Sequence, residues 1–124
     1  MSDNYSLIIK NGSCYIDGKF QKIDLALSGN KIKKVGKIDL NSSKVFDATG
    51  KIVLPGAIDT QVHFREPGAN DAENLESGSR AAVAGGITSV FEMPNTNPPT
   101  STFKEFNNKL SAARNRMFCN YAFY

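Results

Sequence analysis

Four polar side chains recur at every second position in one short segment of the chain. Asp59, Gln61, His63 and Arg65 alternate with mostly apolar residues in the segment DTQVHFR. Because side chains in a β-strand alternate between its two faces, this spacing predicts that the four groups share one face. A strand with an apolar face toward helices and a polar face inward is typical of the wall of a (β/α) barrel. The polar face then points at a site, and it carries the only histidine of the chain.

The ends of two neighbouring predicted strands bring polar groups to one rim. His63 and Arg65 end the first of these strands, and Asn95 follows the second. Parallel strands have their C-terminal ends on one side, where barrel enzymes place their sites. The planar fork of Arg65 suits a carboxylate, and the Asn95 amide can both donate and accept. The sequence therefore predicts that Arg65 and Asn95 converge on one small ligand, with His63 deep enough to be a metal ligand or a proton carrier.

Each of these residues also has a purely structural interpretation. A lone histidine is commonly a hydrogen-bonded structural residue. Arg65 and Glu66 could form a salt bridge at the rim, and Asn95 could simply shape the turn between Pro94 and Thr96. The joint placement of the three groups on one rim favours the ligand site.

Residues 1–54 are typical of short strands separated by turns. Pairs such as Asn11-Gly12 and Asp17-Gly18 favour tight turns, and the runs between them are short and alternating. This pattern predicts a small antiparallel, sandwich-like β-domain without a helix. Two sets of apolar residues are predicted to anchor its strands, with Ile23, Leu25 and Leu27 on one buried face, and Ile32 and Val35 in the next strand.

Residues 55–124 follow a different pattern of strand, helix, strand, helix and strand. The predicted strands are Ala57–Phe64, Ile87–Met93 and Phe118–Tyr124, the second of them of the fully buried kind. This order indicates the start of a parallel α/β layer. Because a closed barrel takes roughly 250 residues, the chain can supply only the first three strands of an incomplete (β/α)8 barrel. We therefore interpret it as the front of a longer protein.

The two predicted helices have start signals and apolar faces. Asn70 with Glu73 is expected to cap the first helix, and Thr102 with Glu105 the second, while Gly85-Gly86 ends the first. Helical spacing predicts the buried faces. These comprise Leu75, Ser79, Ala82 and Val83 in the first helix, and Phe103, Phe106, Leu110, Ala113 and Met117 in the second.

Composition excludes several classes of protein. The net charge of +3 is modest, and the densest lysine group, Lys31, Lys33 and Lys34, has no interleaved aromatic residues, so no nucleic-acid partner is expected. No apolar run is long enough to span a bilayer, and the N-terminus does not read as a signal peptide. Cys14 and Cys119 lie far apart without a CxxC pair, which favours free thiols in a reducing cytoplasm.

Several motifs resemble those of a known enzyme family. The segments LPGAID from Leu54, HFREPG from His63 and MPNTNPP from Met93 resemble the dihydroorotases of the amidohydrolase superfamily, as do ESGSRAA from Glu76 and AGGIT from Ala84. The resemblance runs from about Leu54 to the end of the chain. The Arg-Glu-Pro-Gly and Met-Pro-Asn-Thr pieces favour dihydroorotase over its relatives hydantoinase and allantoinase.

The resemblance implies a role for each residue of the predicted site. His63 would be the second histidine of a His-x-His zinc pair, and Arg65 and Asn95 would hold the substrate carboxylate. The implied reaction is the reversible ring closure of N-carbamoyl-L-aspartate to L-dihydroorotate in pyrimidine biosynthesis. One or two Zn²⁺ ions would activate a water and polarise the amide carbonyl.

The chain departs from the family pattern at the first histidine of that pair, which is Gln61. A carboxamide oxygen is a poorer zinc ligand than an imidazole nitrogen. Gln61 could bind weakly, hydrogen-bond a metal-bound water or leave a single metal. It could also mark a non-catalytic scaffold subunit that works by association, for instance with a transcarbamoylase. Ala72 is a smaller departure, at a position where the resemblance implies a lysine.

The other metal ligands and the catalytic aspartate of the family come from later strands. The chain alone is therefore predicted to have no turnover. A homo-oligomer and an association with a transcarbamoylase are both left open. A further alternative is a cyclic amidase of the hydantoinase or allantoinase type. The combination of Arg65 and Asn95 argues for a ring that bears a carboxylate.

Overall fold

A computed structural model describes residues 5–39 and 44–124 of the protein. The chain divides into two compact units, Met1–Pro55 and Gly56–Tyr124. Within the described ranges, no helix is both long and apolar enough to cross a membrane. Cys14 and Cys119 are free thiols, and burial raises the pKa of both.

The first unit contains two small sheets with strand orders β5-β4-β1-β6 and β3-β2-β7. Two of its strand pairs, β1 with β6 and β2 with β7, are parallel, so the expectation of a purely antiparallel domain is wrong. Long connections separate the members of each parallel pair, and such connections are what parallel pairing requires. The strands are β1 Leu7–Lys10, β2 Ser13–Ile16, β3 Lys19–Lys22, β4 Asp24–Ser28, β5 Lys31–Gly36, β6 Val45–Asp47 and β7 Ile52–Val53.

The core of the first unit differs from the predicted alternation. Ala26 is fully buried and packs with Tyr5, Ile8 and Ile38, although alternation placed it opposite the buried face. The β4–β5 pairing shifts register between Ala26 and Leu27, which interrupts the two-residue period. The predicted anchors of β5 are also wrong, because the first, Ile32, is 58% exposed and the second, Val35, is 47% exposed.

The second unit is an α/β layer with one parallel sheet of order β10-β9-β8. This confirms the predicted alternation of strands and helices and puts β9 in the centre. Its elements are β8 Ala57–Val62, α1 Leu75–Ala84, β9 Ile87–Glu92, α2 Phe103–Ala113 and β10 Asn120–Phe123. The core cluster consists of Phe64, Leu75, Ala82, Val90 and Ala113. Only Val90 and Glu92 of β9 are buried, so the expectation of a fully buried strand is wrong.

Helix α1 begins later than the predicted Asn70–Glu73 cap. Asn74 is the N-cap: its side chain accepts from the Ser77 backbone N–H at 2.9 Å, and Ser77 Oγ accepts from the Asn74 N–H at 3.0 Å. Asn70 instead accepts a hydrogen bond from the Gly68 N–H at 3.2 Å, within the preceding loop. Val83 was predicted to be buried but is 44% exposed.

Helix α2 begins as predicted, but only part of its predicted apolar face, including Ala113, is buried. Thr102 is its N-cap and accepts from the Glu105 N–H at 3.2 Å. Phe103, expected in the core, is 83% exposed, and Leu110 is 37% exposed. The buried residues of α2 are Lys109 and Ala113. Lys109 is drawn inward by an acidic partner, described below.

Gly78 lets helix α1 lie directly on the Phe64 ring. A Cβ atom at position 78 would lie 2.3 Å from Phe64 Cδ1, closer than side chains approach. We expect Gly78→Ala to lower the free energy of unfolding by about 1–3 kcal/mol, the usual cost of overpacking, although alanine favours helix.

Urea denaturation measures this effect, with Gly85→Ala as the matched control. The nearest heavy atom to a Cβ at Gly85 would be 3.5 Å away, so that variant should unfold like the wild type. A Gly78→Ala variant as stable as the wild type would contradict the close packing of Phe64 on α1.

Candidate ligand-binding site

The predicted polar residues lie in strand β8 and just after it, but the strand is irregular. Its pairing with β9 shifts register between Asp59 and Val62, and the strand ends at Val62. Asp59 accepts a hydrogen bond from the Gln61 backbone N–H at 3.0 Å within the shift, and Arg65 has a positive φ of 61°. The expectation of one uninterrupted alternating strand over residues 59–65 is therefore wrong.

His63 and Asn95 meet where β8 and β9 end. His63 Nδ1 lies 2.8 Å from Asn95 Oδ1. An amide oxygen can only accept, so Nδ1 donates this hydrogen bond. In the neutral ring with the proton on Nδ1, Nε2 has a lone pair for another partner. The Asn95 side chain therefore does more than shape its turn. The structure brings together two of the three groups that were predicted to meet.

Arg65 is exposed and uncommitted. Within the described parts of the chain, its guanidinium makes no hydrogen bond or ion pair. The alternative of a rim salt bridge to Glu66 is wrong, because Glu66 pairs with Arg116 through two bonds of 2.8 and 3.0 Å. Arg65 thus remains available to an anionic ligand.

Glu66 fixes the loop next to Arg65. Its carboxylate is buried and also accepts from the Leu75 N–H, at the first turn of α1, at 2.9 Å. A carboxylate at a helix N-terminus is favourable because unpaired N–H groups point at it. Burial alone would raise the pKa of Glu66, but the bonds from Arg116 and Leu75 outweigh it and hold the pKa below its ordinary value of 4.5.

The lowered pKa of Glu66 predicts acid sensitivity. Its charged form is favoured in the folded state, so its contribution is present above about pH 4.5 and is lost as the pH falls through the lower folded pKa. We expect the wild type to lose about 1–3 kcal/mol more than Glu66→Gln between pH 6 and pH 3. Urea denaturation at several pH values measures this difference. Parallel pH profiles for the two proteins would contradict the argument.

The loops that follow β8 and β9 hold each other. The Asn97 N–H donates to the Pro67 carbonyl at 3.0 Å, and the Met93 N–H donates to the Val62 carbonyl at 3.0 Å. Gly68 has φ +116°, and a Cβ there would lie 2.7 Å from the Asn97 Cβ and carbonyl oxygen. The segments that carry Arg65 and Asn95 are thus in direct contact.

A buried ion pair below these loops was missed by the sequence reasoning. Lys109 Nζ donates to Glu92 Oε2, and both side chains are at most 1% exposed. Burial raises the pKa of Glu92, and Lys109 opposes that shift. Lys109 Nζ also lies 3.3 Å from the Met93 carbonyl. A signal was present, because Lys109 occupies a core position in the helical repeat between Phe106 and Ala113.

The described residues do not form a zinc site by themselves. They contain no group of three or more His, Cys, Asp or Glu side chains placed to hold a metal. His63 could offer Nε2, and the exposed Gln61 could offer a carboxamide oxygen, whereas structural and catalytic zinc sites use three or four ligands. Any zinc at this position requires ligands from outside this part of the chain.

A cavity of about 370 Å³ also lies in the second unit. Glu66 and Lys109 line it, together with residues such as Asn70, Thr100 and Glu105. His63, Arg65 and Asn95 do not line it, so it is separate from the candidate site.

Comparison with solved structures defines the class of fold. L-hydantoinase (dihydropyrimidinase) from Arthrobacter aurescens matches 97% of this chain and 27% of its own, with a TM-score of 0.87 and 30% sequence identity. D-hydantoinase (dihydropyrimidinase) from Thermus sp. matches 95% of this chain and 27% of its own, with a TM-score of 0.79 and 32% identity. The fold is that of the hydantoinase class of amidohydrolases.

Comparison of sequences narrows the class to one family. The family model described as dihydro-orotase-like matches residues 50–121. The chain therefore belongs to the dihydro-orotase-like family, which confirms the resemblance found in its motifs.

Curated relatives agree with this assignment. The dihydroorotase of Lactobacillus helveticus is 46% identical over 95 residues, 77% of this chain and 22% of that protein. The dihydroorotase of Methanosarcina mazei is 44% identical over 110 residues, 87% of this chain and 24% of that protein. The chain thus spans about a quarter of the length of the relatives it matches.

Proposed function

We propose that this chain is part of a dihydroorotase, which interconverts N-carbamoyl-L-aspartate and L-dihydroorotate in pyrimidine biosynthesis. Family membership supports the reaction class, and its curated relatives are dihydroorotases. The observation that carries the substrate assignment is the exposed guanidinium of Arg65, which has no hydrogen bond or ion pair within residues 5–39 and 44–124. It lies one loop away from the Asn95 amide, which is held by His63.

In this proposal Arg65 and Asn95 bind the substrate carboxylate. The guanidinium fork donates two parallel hydrogen bonds, and the Asn95 amide nitrogen adds a third, since its oxygen already accepts from His63. Binding through the carboxylate fixes the orientation of the ring and so presents its amide in one pose. The His63 ring, with its proton held on Nδ1, offers Nε2 as a ligand or a proton acceptor.

The proposal includes one or two Zn²⁺ ions in the longer protein. His63, and more weakly Gln61, would be the ligands from this chain, and bound zinc would supply an activated water and a polarised carbonyl. Because these two residues cannot complete a zinc site, the chain by itself is expected to show no ring opening of dihydroorotate.

The unit 56–124 is, in this proposal, the first three strands of a (β/α)8 barrel, preceded by the β-rich unit. Among the described residues, β8 and β10 each pair with β9 alone, which supports this because sheet edges are normally paired or covered. We further propose a cytoplasmic protein that forms homo-oligomers or associates with a transcarbamoylase.

Two competing functions make different predictions. A non-catalytic scaffold is favoured by Gln61, which weakens metal binding. A hydantoinase-type cyclic amidase is favoured by the structural neighbours, but a neutral hydantoin would leave Arg65 without a charged partner. Arg65 is exposed and makes no ion pair within the described residues, which favours a ring that bears a carboxylate over a neutral hydantoin.

NMR titration of the ¹⁵N-labelled chain with L-dihydroorotate tests the proposal. We expect saturable shift changes centred on Arg65 and Asn95, with an affinity on the order of millimolar for so few contacts. Arg65→Met should weaken binding about tenfold, the usual scale for one lost charged hydrogen-bond pair.

Arg114→Met is the matched control, because Arg114 is also an exposed arginine of this unit. Hydantoin is the matched ligand and should cause no comparable shifts. Equal binding of hydantoin and dihydroorotate would favour the hydantoinase alternative, and the absence of any binding would reject the carboxylate site.

A further inference from the structure

Helix α2 and the turn after it carry two basic residues that reach the segments of the candidate site. Lys109, within α2, pairs with Glu92 at the end of β9. Arg116, three residues after α2, pairs with Glu66 in the loop after β8. Each acidic partner lies close in sequence to a residue of the candidate site, with Glu66 next to Arg65.

The Lys109 pair fixes the segment that leads to Asn95. Lys109 Nζ bonds the Glu92 carboxylate and also lies 3.3 Å from the Met93 carbonyl, two residues before Asn95. Among the residues described, the second carboxylate oxygen of Glu92 is buried without a hydrogen-bond partner. Lys109 is therefore the main group that compensates a fully buried charge at this strand end.

The Arg116 pair fixes the loop that carries Arg65. Nη1 and Nη2 of Arg116 donate to the two carboxylate oxygens of Glu66. Nη1 also donates to the Ala112 carbonyl, in the last turn of α2, at 3.0 Å. The guanidinium thus ties the loop to the helix end in a bidentate geometry, which restricts orientation as well as distance.

We infer that Lys109 and Arg116 are positioning residues for the candidate site. Through their ion pairs with Glu92 and Glu66, they fix the segments that carry Asn95 and Arg65. We call these two ion pairs the α2 clamp. The inference builds on the proposed function, since it takes Arg65 and Asn95 as the ligand-binding groups. Neither Lys109 nor Arg116 needs to touch the ligand.

The single histidine offers a direct measure of the Lys109 half of the clamp. Nδ1 donates to Asn95 only while Asn95 is held in place, so ring ¹⁵N shifts of the neutral imidazole report the His63–Asn95 contact. The wild-type chain should show the proton on Nδ1. The double variant Glu92→Leu with Lys109→Met replaces the ion pair by apolar groups, which commonly preserves folding.

We expect this double variant to remain folded while His63 exchanges between its two tautomers. Lys104→Met, an exposed lysine of the same helix, should leave the ring unchanged. A folded double variant with an intact Nδ1–H would overturn the inference. If the double variant does not fold, Glu92→Gln replaces it in the test. A partial change of the His63 ring ¹⁵N shifts toward mixed tautomers supports the clamp, and wild-type ring shifts refute it.

Hydrogen exchange measures the Arg116 half. The Asn97 N–H, which donates to the Pro67 carbonyl, reports the contact between the two loops. In Arg116→Gln we expect the Asn97 N–H to exchange about tenfold faster than in the wild type. This factor is taken relative to the change at the Val90 amide in the core, which reports overall stability. Arg114→Gln is the control. Equal acceleration at Asn97 and Val90 would show a general loss of stability and would contradict a positioning role.

These measurements use no ligand, so they separate the two hypotheses. Failure of dihydroorotate to bind the wild type would reject the proposed function and leave the clamp measurable. An intact His63–Asn95 contact in the folded double variant would reject the clamp, whatever the ligand.

Discussion

Replacing Lys109 by methionine alone is expected to destabilise the second unit by about 3–5 kcal/mol, the usual result of removing one partner of a buried ion pair. Glu92 is 0% exposed, and one of its oxygens already has no hydrogen-bond partner among the described residues. Without Lys109 the carboxylate must lose its charge or leave the core. Since a domain of this size is stabilised by only about 5–15 kcal/mol, this loss removes a large share of its stability.

Urea denaturation followed by amide signals of β9 measures this loss. Lys104→Met should change stability by less than about 0.5 kcal/mol, as surface substitutions usually do. The double variant Glu92→Leu with Lys109→Met should recover most of the loss, because no charge is left buried. If Lys109→Met matches the wild type in stability, the buried ion pair does not exist in solution.

Gly68→Ala is expected to separate the two loops of the candidate site. The residue has φ +116°, which side chains rarely adopt, and its Cβ would lie 2.7 Å from the Asn97 Cβ and backbone oxygen. Strained backbone and overpacking each cost about 1–3 kcal/mol, so the loops should move apart to avoid both. We expect loss of the His63–Asn95 contact and of dihydroorotate binding.

Ring ¹⁵N shifts of His63 and the dihydroorotate titration both measure this effect. Gly86→Ala is the matched control, because Gly86 also has a positive φ, +87°, but a Cβ there would meet nothing within 4 Å. Gly86→Ala should lower the free energy of unfolding because of backbone strain. It should leave the His63–Asn95 contact and dihydroorotate binding unchanged. Equal effects of the two substitutions would show that the close approach to Asn97 is unimportant.

Local sequence patterns were sufficient for the order of elements and for the family. The order strand, helix, strand, helix, strand of residues 56–124 follows from hydrophobic spacing and glycine or proline signals, which act within a few residues. The family motifs are equally local, and they supplied His63, Arg65 and Asn95 together. The cap of α2 at Thr102 was predictable for the same reason.

Predictions failed where distant contacts override local preference. The Asn70–Glu73 cap was wrong because Asn74 caps the helix, which begins at Leu75, and the Glu66 carboxylate accepts from the Leu75 N–H. Phe103 was wrongly placed in the core, because helical spacing gives the apolar face but not the rotation of the helix on the sheet.

What the sequence by itself determined is the identity of the groups proposed for the candidate site and the two strands that they follow. Only the tertiary structure decided how they are held: Glu66 bonds Arg116 and not its neighbour Arg65, and Glu92 bonds Lys109 beneath the loop of Asn95. The reason is physical. Partners of a buried charge are chosen by distance in space and by the cost of desolvation, and neither is fixed by separation along the chain.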